Sequence, residues 1–339
     1  MAQTLDIDHG FYYTFLNAAQ KKCYDTLLVN MRQFVQDFAL DPVAEKDYLI
    51  ANRAVLDDHP ELWWADTPAR YSFNLMRQVN RHAFLELKGN EAQLTQQMLA
   101  NVADALKEAD KRKTEWDKAL YFHDIIIENT HFNTGKDTDG YGDQNISSIF
   151  LAGNSVCAGY ARAFQLLCRS SGIECIYVPG IATKNGRQVS HAWNLARIEG
   201  QWTWIDCTWD DLILEKGLES LEHDYFCLND TWISKDHTIP SGLQTGKSGA
   251  VLAVNYPKAS VIKMEYHHVA GTYFESYDSK AAASVQKQAP SGKIRLRFGS
   301  SAALKKACAE IVDANNLTSS SQLRISRDDA ICVLRIDRK

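Results

Sequence analysis

The segment from residue 155 to residue 209 constrains the fold of this chain most, because a helical pattern is followed there by three strand patterns separated by tight turns. In residues 155–168 the apolar side chains recur at positions i, i+4, i+7 and i+8, which predicts a helix with one apolar face. Those side chains are Tyr160, Phe164, Leu167 and Cys168. Residues 153–155 supply a loop and a candidate cap before this helix, and Gly172 is a natural residue to end it.

Three strands are predicted after this helix, at residues 173–179, 190–198 and 201–209. Asn185-Gly186 stands between the first two strands and is the strongest short signal for a hairpin turn. Glu199-Gly200 supplies a two-residue turn between the second strand and the third. The second and third strands are therefore predicted to form one hairpin.

The register of this hairpin brings two polar residues together. A two-residue turn pairs Ile198 with Gln201, and the same register places Asp206 opposite Trp193. His191 lies two residues before Trp193, so His191 and Asp206 are predicted to be diagonal neighbours on one face of the sheet. A slip of one residue would put them on opposite faces.

Cys157 is predicted to lie in the first turn of the helix, where unpaired backbone N–H groups and the helix dipole favour a thiolate. The same N–H groups can stabilise an oxyanion. A thiol, an imidazole and a carboxylate are the minimum set for acyl transfer through a thioester. Taken singly, Cys157 fits a buried structural cysteine, His191 a packed strand residue and Asp206 a turn residue. Their combination favours a catalytic set.

Three motifs in this order also resemble the bacterial transglutaminase-like superfamily: SVCAGYARAF at 155–164, HAWN at 191–194 and WIDCTWDD at 204–211. The resemblance covers residues from about Tyr121 to Trp209. It implies a papain-like α+β core with Cys157 as nucleophile, His191 as base and Asp206 as the residue that orients the base. Members of this superfamily include protein cross-linkers, proteases, deglycosylating amidases and proteins without activity.

Two further residues, Gln144 and Trp193, each have two possible roles. The resemblance implies that Gln144, which precedes Cys157 by 13 residues, lends its amide to the oxyanion; the alternative is an ordinary polar loop residue. Trp193 shares the predicted face of His191, where it either walls the substrate-binding site or belongs to the core. Asp210-Asp211 suggests a cation site only weakly, and a turn or helix cap is favoured.

The chain divides into three predicted regions around an α+β, papain-like or transglutaminase-like core. Residues 1–115 are predicted to form a mainly helical N-terminal region, residues 116–240 the catalytic core, and residues 250–339 a small α+β module. The Gly/Ser-rich run 241–249 is typical of a linker. In the last region we predict strands at 262–266, 293–298 and 330–336 and a helix at 301–314.

Composition excludes several classes of protein. The net charge of −5, without a run of Lys or Arg, argues against a nucleic-acid surface. No apolar run reaches the roughly 18 residues that a membrane span needs. The eight cysteines are scattered without zinc-ligand spacing, and the expected chemistry needs neither a metal nor an organic cofactor.

A cytoplasmic location is favoured because the first residues lack the pattern of a signal peptide, while a mature secreted form stays open.

The sequence therefore predicts a cysteine-dependent acyl transferase or amidohydrolase that acts on protein or peptide amides through a thioester. Transamidation or deamidation of a glutamine, with an amine as co-substrate in the first case, is placed ahead of cysteine peptidase activity. The alternative of another class is a non-enzymatic protein-binding module on a transglutaminase-like fold. The complete set of three polar residues counts against that alternative, and the oligomeric state is left open.

Overall fold

The computed structural model describes residues 9–85, 87, 89–133, 143–184, 186–213, 219–245, 249–314 and 323–338. The α-helices in these ranges are α1 (Ala18–Arg32), α2 (Glu45–Asp58), α3 (Glu91–Ala109), α4 (Glu115–Glu128), α5 (Cys157–Ser170), α6 (Cys207–Asp210), α7 (Asp230–Ile233), α8 (Tyr266–Val269), α9 (Ser279–Gln288) and α10 (Ser301–Ala314). The strands are β1 (Asp37–Val43), β2 (Ala69–Phe73), β3 (Val79–Phe84), β4 (His131–Phe132), β5 (Asn154–Ser155), β6 (Glu174–Lys184), β7 (Arg187–Ile198), β8 (Gln201–Ile205), β9 (Asp211–Ile213), β10 (Glu219–Leu221), β11 (Phe226–Leu228), β12 (His237–Thr238), β13 (Gly242–Thr245), β14 (Ala250–Ala253), β15 (Tyr273–Phe274), β16 (Lys293–Phe298), β17 (Leu323–Asp328) and β18 (Val333–Arg338).

The centre of this α+β fold is an antiparallel sheet of five strands in the order β11-β8-β7-β6-β12, with α5 packed against β6 and β7. One cluster of buried apolar side chains extends along the chain from Tyr12 to Ile336. The division into three regions at residues 115 and 240 stays a prediction. None of the helices in the described ranges combines the length and the apolar character that crossing a membrane requires.

Helix α5 confirms the predicted apolar face, because Tyr160, Phe164, Leu167 and Cys168 are all fully buried. The helix ends as predicted at Gly172, which has a φ of +85°. The N–H of Gly172 donates to the carbonyl of Arg169 and the N–H of Ile173 to that of Cys168, which is the Schellman pattern. The predicted cap is wrong, because the N-cap residue is Val156 and its side chain makes no capping hydrogen bond.

The predicted hairpin register is confirmed, since Ile198 pairs with Gln201 and Asn194 with Ile205. Glu199 and Gly200 have φ values of +49° and +74°. Positive φ at both central residues defines the type I′ turn that matches the twist of a hairpin. Between β6 and β7, Lys184 pairs with Arg187, as a two-residue turn requires; Asn185 lies outside the described residues.

The third strand of the prediction is too long. Strand β8 ends at Ile205, and Asp206 is instead the N-cap of the one-turn helix α6. The Asp206 side chain accepts hydrogen bonds from the N–H groups of Thr208 and Trp209, and this local capping replaces the ladder. His191 and Asp206 still lie close together, because the hairpin register places the end of β8, directly before Asp206, beside β7.

The N-terminal region, which the sequence predicts to be mainly helical, also contains a three-stranded sheet in the order β1-β3-β2. Two other expectations are wrong. Residues 242–245 of the expected linker form β13, which pairs with β14, while residues 246–248 lie outside the described chain. No strand forms at 262–266, where the described chain enters α8. Residues 134–143 are rich in Gly, Asp and Thr, which predicts an exposed loop, but all of them except Asp143 lie outside the described residues.

Three polar side chains of α5 hold the N-terminal region. Arg162 contacts Asp57 (Nη2 to Oδ1, 3.1 Å) and donates to the carbonyl of Leu56. Gln165 donates its amide to the carbonyl of Asp57 (2.9 Å), and Arg169 donates to the carbonyl of Asp58. Both aspartates are fully buried, so these contacts satisfy groups that would otherwise be costly to bury.

We expect Arg162→Leu to lower the free energy of unfolding by about 3 kcal/mol, because it removes one partner of a buried ion pair. Arg197 is the matched control, since it pairs with Glu174 where both side chains are about half exposed. Arg197→Leu should cost no more than about 1 kcal/mol. Urea unfolding at pH 7 measures both values, and equal losses would contradict the proposed link between α5 and the N-terminal region.

Candidate active site

Cys157 is the first residue of α5 and is partly exposed. All eight cysteines are free thiols, and of these only Cys157 and Cys308 are partly exposed, while the others are buried. The side chain of the N-cap residue Val156 cannot accept a hydrogen bond, so it does not occupy the backbone N–H groups at the start of the helix. The site therefore combines a reachable thiol with the positive end of a helix.

Gly159 fixes how closely the preceding loop approaches the start of α5. A Cβ at this position would lie 2.0 Å from Oγ of Ser155 and 2.7 Å from Oγ of Ser148. These two hydroxyls are 2.6 Å apart, and the Ser155 hydroxyl also donates to the carbonyl of Asp143 (3.1 Å). Only glycine leaves room for this packing, which holds the loop against the first turn of the helix.

His191 on β7 and Asp206 after β8 are joined by a hydrogen bond of 2.6 Å between Nε2 and Oδ2. Both side chains are almost completely buried. The other carboxylate oxygen, Oδ1, accepts from the N–H groups of Thr208 (2.9 Å) and Trp209 (3.1 Å). Asp206 is thus held by its own helix cap while it binds the imidazole, which fixes the orientation of the ring.

Electrostatics at this pair favour a charged imidazole. Burial lowers the pKa of His191, but the nearby Asp206 carboxylate, its hydrogen bond and the nearby Cys157 side chain outweigh burial and raise the pKa to about 10. Burial raises the pKa of Asp206, but the charge and hydrogen bond of His191 reverse this effect and lower the pKa below its usual value. Because Nε2 of His191 faces Asp206, Nδ1 is the nitrogen that remains for the thiol.

The structure brings Cys157, His191 and Asp206 together. The two other candidate residues, Trp193 and Gln144, have different surroundings. Trp193 is fully buried, with its ring stacked 5.9 Å from that of His191, which favours the core alternative over substrate contact. Gln144 is exposed and donates its amide to the carboxylate of Asp143 (3.3 Å). The carbonyl of Asp143 accepts from the N–H of Val156, so Gln144 is tethered beside the residue that precedes Cys157.

Sequence reasoning missed His237. Its Nε2 lies 3.0 Å from Oδ2 of Asp206, the same oxygen that binds His191, and its Nδ1 lies 2.6 Å from Oδ1 of Asp236. His237 is buried on β12, a two-residue strand at the far edge of the sheet, which pairs with β6. No local pattern in residues 234–240 indicates this position, because it depends on the pairing of β12 across the sheet.

Two groups of side chains in the described chain are close enough to hold a metal ion: His191 with Asp206 and His237, and His123 with Asp124 and His223. In both groups the carboxylate already accepts hydrogen bonds from the two histidines, so no ion is needed to satisfy them. We assign no metal ligand in either group.

Asp210-Asp211 supports the structural alternative that the sequence favoured. Asp210 is buried and accepts from the N–H of Tyr225 and contacts Nε2 of His123 (3.1 Å). Asp211 accepts from the hydroxyl of Tyr160 (2.7 Å). Burial raises the pKa of Asp210, whereas burial of His123 is outweighed by Asp124 and Asp210, which raise the pKa of that histidine to about 9.

Part of the chain is similar to known proteins. Residues 100–207, which include all three polar residues, match the family model of the Transglutaminase-like superfamily. Kyphoscoliosis peptidase from Homo sapiens is 33% identical over 93 residues, and its counterpart from Mus musculus is 32% identical over 93 residues. Each of these alignments covers 24% of this chain and 14% of the relative, so the chain spans a small part of the length of both.

Several solved structures are also similar. A crystal structure of a TGase is 15% identical with a TM-score of 0.30, covering 41% of this chain and 43% of its own. A putative cysteine protease from Cytophaga hutchinsonii is 19% identical with a TM-score of 0.29, covering 46% and 66%. The periplasmic domain of TgpA from Pseudomonas aeruginosa is 16% identical with a TM-score of 0.28, covering 39% and 55%. The family model shows that residues 100–207 are similar to the Transglutaminase-like superfamily.

We expect Asp206→Asn to lower the pKa of His191 by about 2 units, because burial then acts without the compensating carboxylate. In the wild type the raised pKa stabilises the folded state fully below the unfolded value of about 6.5, and this contribution is lost as the pH rises through about 10. Histidine NMR with ¹⁵N-labelled rings measures the titration. An unchanged His191 titration in the variant would contradict the ion pair.

Proposed function

We propose that this protein is a cysteine-dependent acyl transferase or amidohydrolase that acts on amides of a protein or peptide through a thioester at Cys157. The observation that carries the proposal is that Cys157, at the first turn of α5, lies near enough to His191 to influence its pKa, while Asp206 holds His191 by a hydrogen bond of 2.6 Å. The match of residues 100–207 to the Transglutaminase-like superfamily supports the same chemistry.

The first half of the reaction forms the thioester. His191, with its raised pKa, holds the proton as the imidazolium partner of the Cys157 thiolate, and the buried Asp206 carboxylate stabilises this imidazolium. The thiolate attacks the carbonyl carbon of the amide, and the electron pair of the C=O bond moves to oxygen. The backbone N–H of Cys157 and the amide of Gln144 are the proposed donors to this oxyanion.

The second half releases and replaces the leaving group. The oxyanion collapses, the C–N bond breaks, and His191 gives its proton to the departing nitrogen. The leaving group is ammonia for a glutamine side chain and an amine for a peptide bond. His191 then takes a proton from water or from a second amine as that nucleophile attacks the thioester, and Cys157 leaves as the thiolate.

Two substrates are compatible with this scheme. The first candidate is the carboxamide of a protein glutamine, with an amine or water completing the reaction. The second is a peptide bond, and the name of the human relative, a peptidase that is 33% identical over the aligned 93 residues, favours it. The three polar residues act in the same way in both, so the product decides between the two candidates.

Mass spectrometry of a glutamine-containing protein mixture, incubated with a tagged primary amine, tests the proposal with wild-type protein, Cys157→Ala and Cys308→Ala. We expect amine incorporation or deamidation that Cys157→Ala abolishes and that Cys308→Ala leaves unchanged, because Cys308 is the other partly exposed thiol. New peptide termini that depend on Cys157 would assign the second candidate. Identical products from all three proteins would contradict both.

Alkylation tests the nucleophile without a substrate. We expect iodoacetamide at pH 6 to modify Cys157 at least tenfold faster than Cys308, because in the proposed mechanism His191 holds the proton as the partner of the Cys157 thiolate, whereas burial raises the pKa of Cys308. Peptide mapping against time gives both rates in the same sample. Equal rates for the two thiols would favour a non-enzymatic binding module on this fold.

A further inference from the structure

A second imidazole–carboxylate pair stands directly behind Asp206. Oδ2 of Asp206 is approached by Nε2 of His191 at 2.6 Å and by Nε2 of His237 at 3.0 Å. Nδ1 of His237 faces Oδ1 of Asp236 at 2.6 Å, and the hydroxyl of Tyr225 donates to the other oxygen of Asp236 at 2.7 Å. A continuous chain of hydrogen bonds therefore runs inward from His191 through the buried core.

The geometry fixes the charge of His237. Each of its ring nitrogens lies within hydrogen-bond distance of a carboxylate oxygen, and a carboxylate only accepts. A neutral imidazole has one N–H, so one nitrogen lone pair would then face a carboxylate oxygen at 3.0 Å or less. The imidazolium donates from both nitrogens and satisfies both carboxylates. Tyr225 already donates to Asp236, which agrees with an ionised Asp236.

The other groups around His237 do not reverse this assignment. Its ring contacts the rings of Trp193, Trp209, His191 and Tyr225, with centroids 4.4–5.6 Å away. Of these, only His191 carries a like charge. Beyond Tyr225 and Asp236 stands Asp328, whose negative charge favours a cation and is partly offset by Arg335. Burial lowers the pKa of His237, but Asp206 and Asp236 outweigh burial and raise it.

We infer that His237, held as an imidazolium between Asp206 and Asp236, is a positioning residue that shares the Asp206 carboxylate with His191 and so keeps the proton of His191 transferable. This inference rests on the proposed function, in which His191 must give its proton to the leaving nitrogen. A histidine paired with an unshared, buried carboxylate holds its proton more firmly than one whose carboxylate is shared, and a firmly held proton is transferred less readily to the leaving nitrogen. The positive charge of His237 on the same carboxylate weakens the stabilisation that Asp206 gives to the His191 imidazolium.

Two variants separate the charge of His237 from its hydrogen bond. His237→Gln removes the charge. Asp236→Asn removes the second carboxylate, so that His237 becomes neutral while its Nε2–H still donates to Asp206. His267→Gln is the matched control, because His267 is equally buried and bonds a carboxylate, Asp224 at 2.8 Å, outside the site.

The readout is the ratio of alkylation rates of Cys157 with iodoacetate and iodoacetamide as a function of pH. The imidazolium of His191 attracts the anionic reagent, so the ratio falls when His191 loses its proton. We expect His237→Gln and Asp236→Asn to move this fall upward by about one pH unit, and His267→Gln to leave it in place. An unshifted fall in both site variants would overturn the inference, because a merely structural role of His237 leaves the titration of His191 unchanged.

Histidine NMR on the wild-type protein provides a test that needs no variant to fold. We expect both ring nitrogens of His237 to stay protonated from pH 6 to pH 8, and a neutral ring in this range would overturn the inference. The outcome is separable from failure of the proposed function. If Cys157 of the wild type shows no enhanced alkylation at pH 6, the proposed function fails, whatever the charge of His237.

Discussion

The carboxylate of Asp206 is the interaction on which the arrangement of the site depends. It accepts from His191, His237 and the two N–H groups that begin α6, and it is buried. An ionised carboxylate that is removed from water needs donors in most of its lone-pair directions. This requirement ends β8 at Ile205, starts α6 and draws β12 to the edge of the sheet, so one buried charge organises three elements.

Both flanking regions contact the elements of this site through polar and charged side chains. On one side, Arg162 and Gln165 of α5 bind the buried segment around Asp57, so the helix that presents Cys157 is fixed to the N-terminal region. On the other side, Arg335 of β18 and Arg297 of β16 bind Asp224, the residue before Tyr225. Since Tyr225 donates to Asp236, the C-terminal strands support the inner end of the hydrogen-bond chain.

The sequence predicted the parts of the site that local rules determine. The apolar face of α5, its stop at Gly172 and the type I′ turn at Glu199-Gly200 each follow from residues within a few positions of one another, and the turn alone fixes the register that joins His191 to Asp206. His237 escaped because a two-residue strand has no pattern of its own. The sheet formed by β1, β2 and β3 was not predicted, because Phe38 continues the apolar helical spacing of α1, although the helix ends at Arg32. In both cases pairing with a distant strand overrides the local signal.

A network of buried charges needs a reason beyond stability. Replacing a buried ionic network by apolar residues of similar volume is often neutral or stabilising, so folding alone does not account for four ionisable groups in series from His191 to Asp236. The outer end of this network, at His191, lies beside Cys157, a partly exposed thiol at a helix N-terminus. In the described part of the chain, the comparable network around Asp224, Arg297 and Arg335 ties strands together, and the thiol of Cys332 near Arg297 is buried. The difference between the two networks is the accessible nucleophile, and it is what makes chemistry at Cys157 the better explanation of the first.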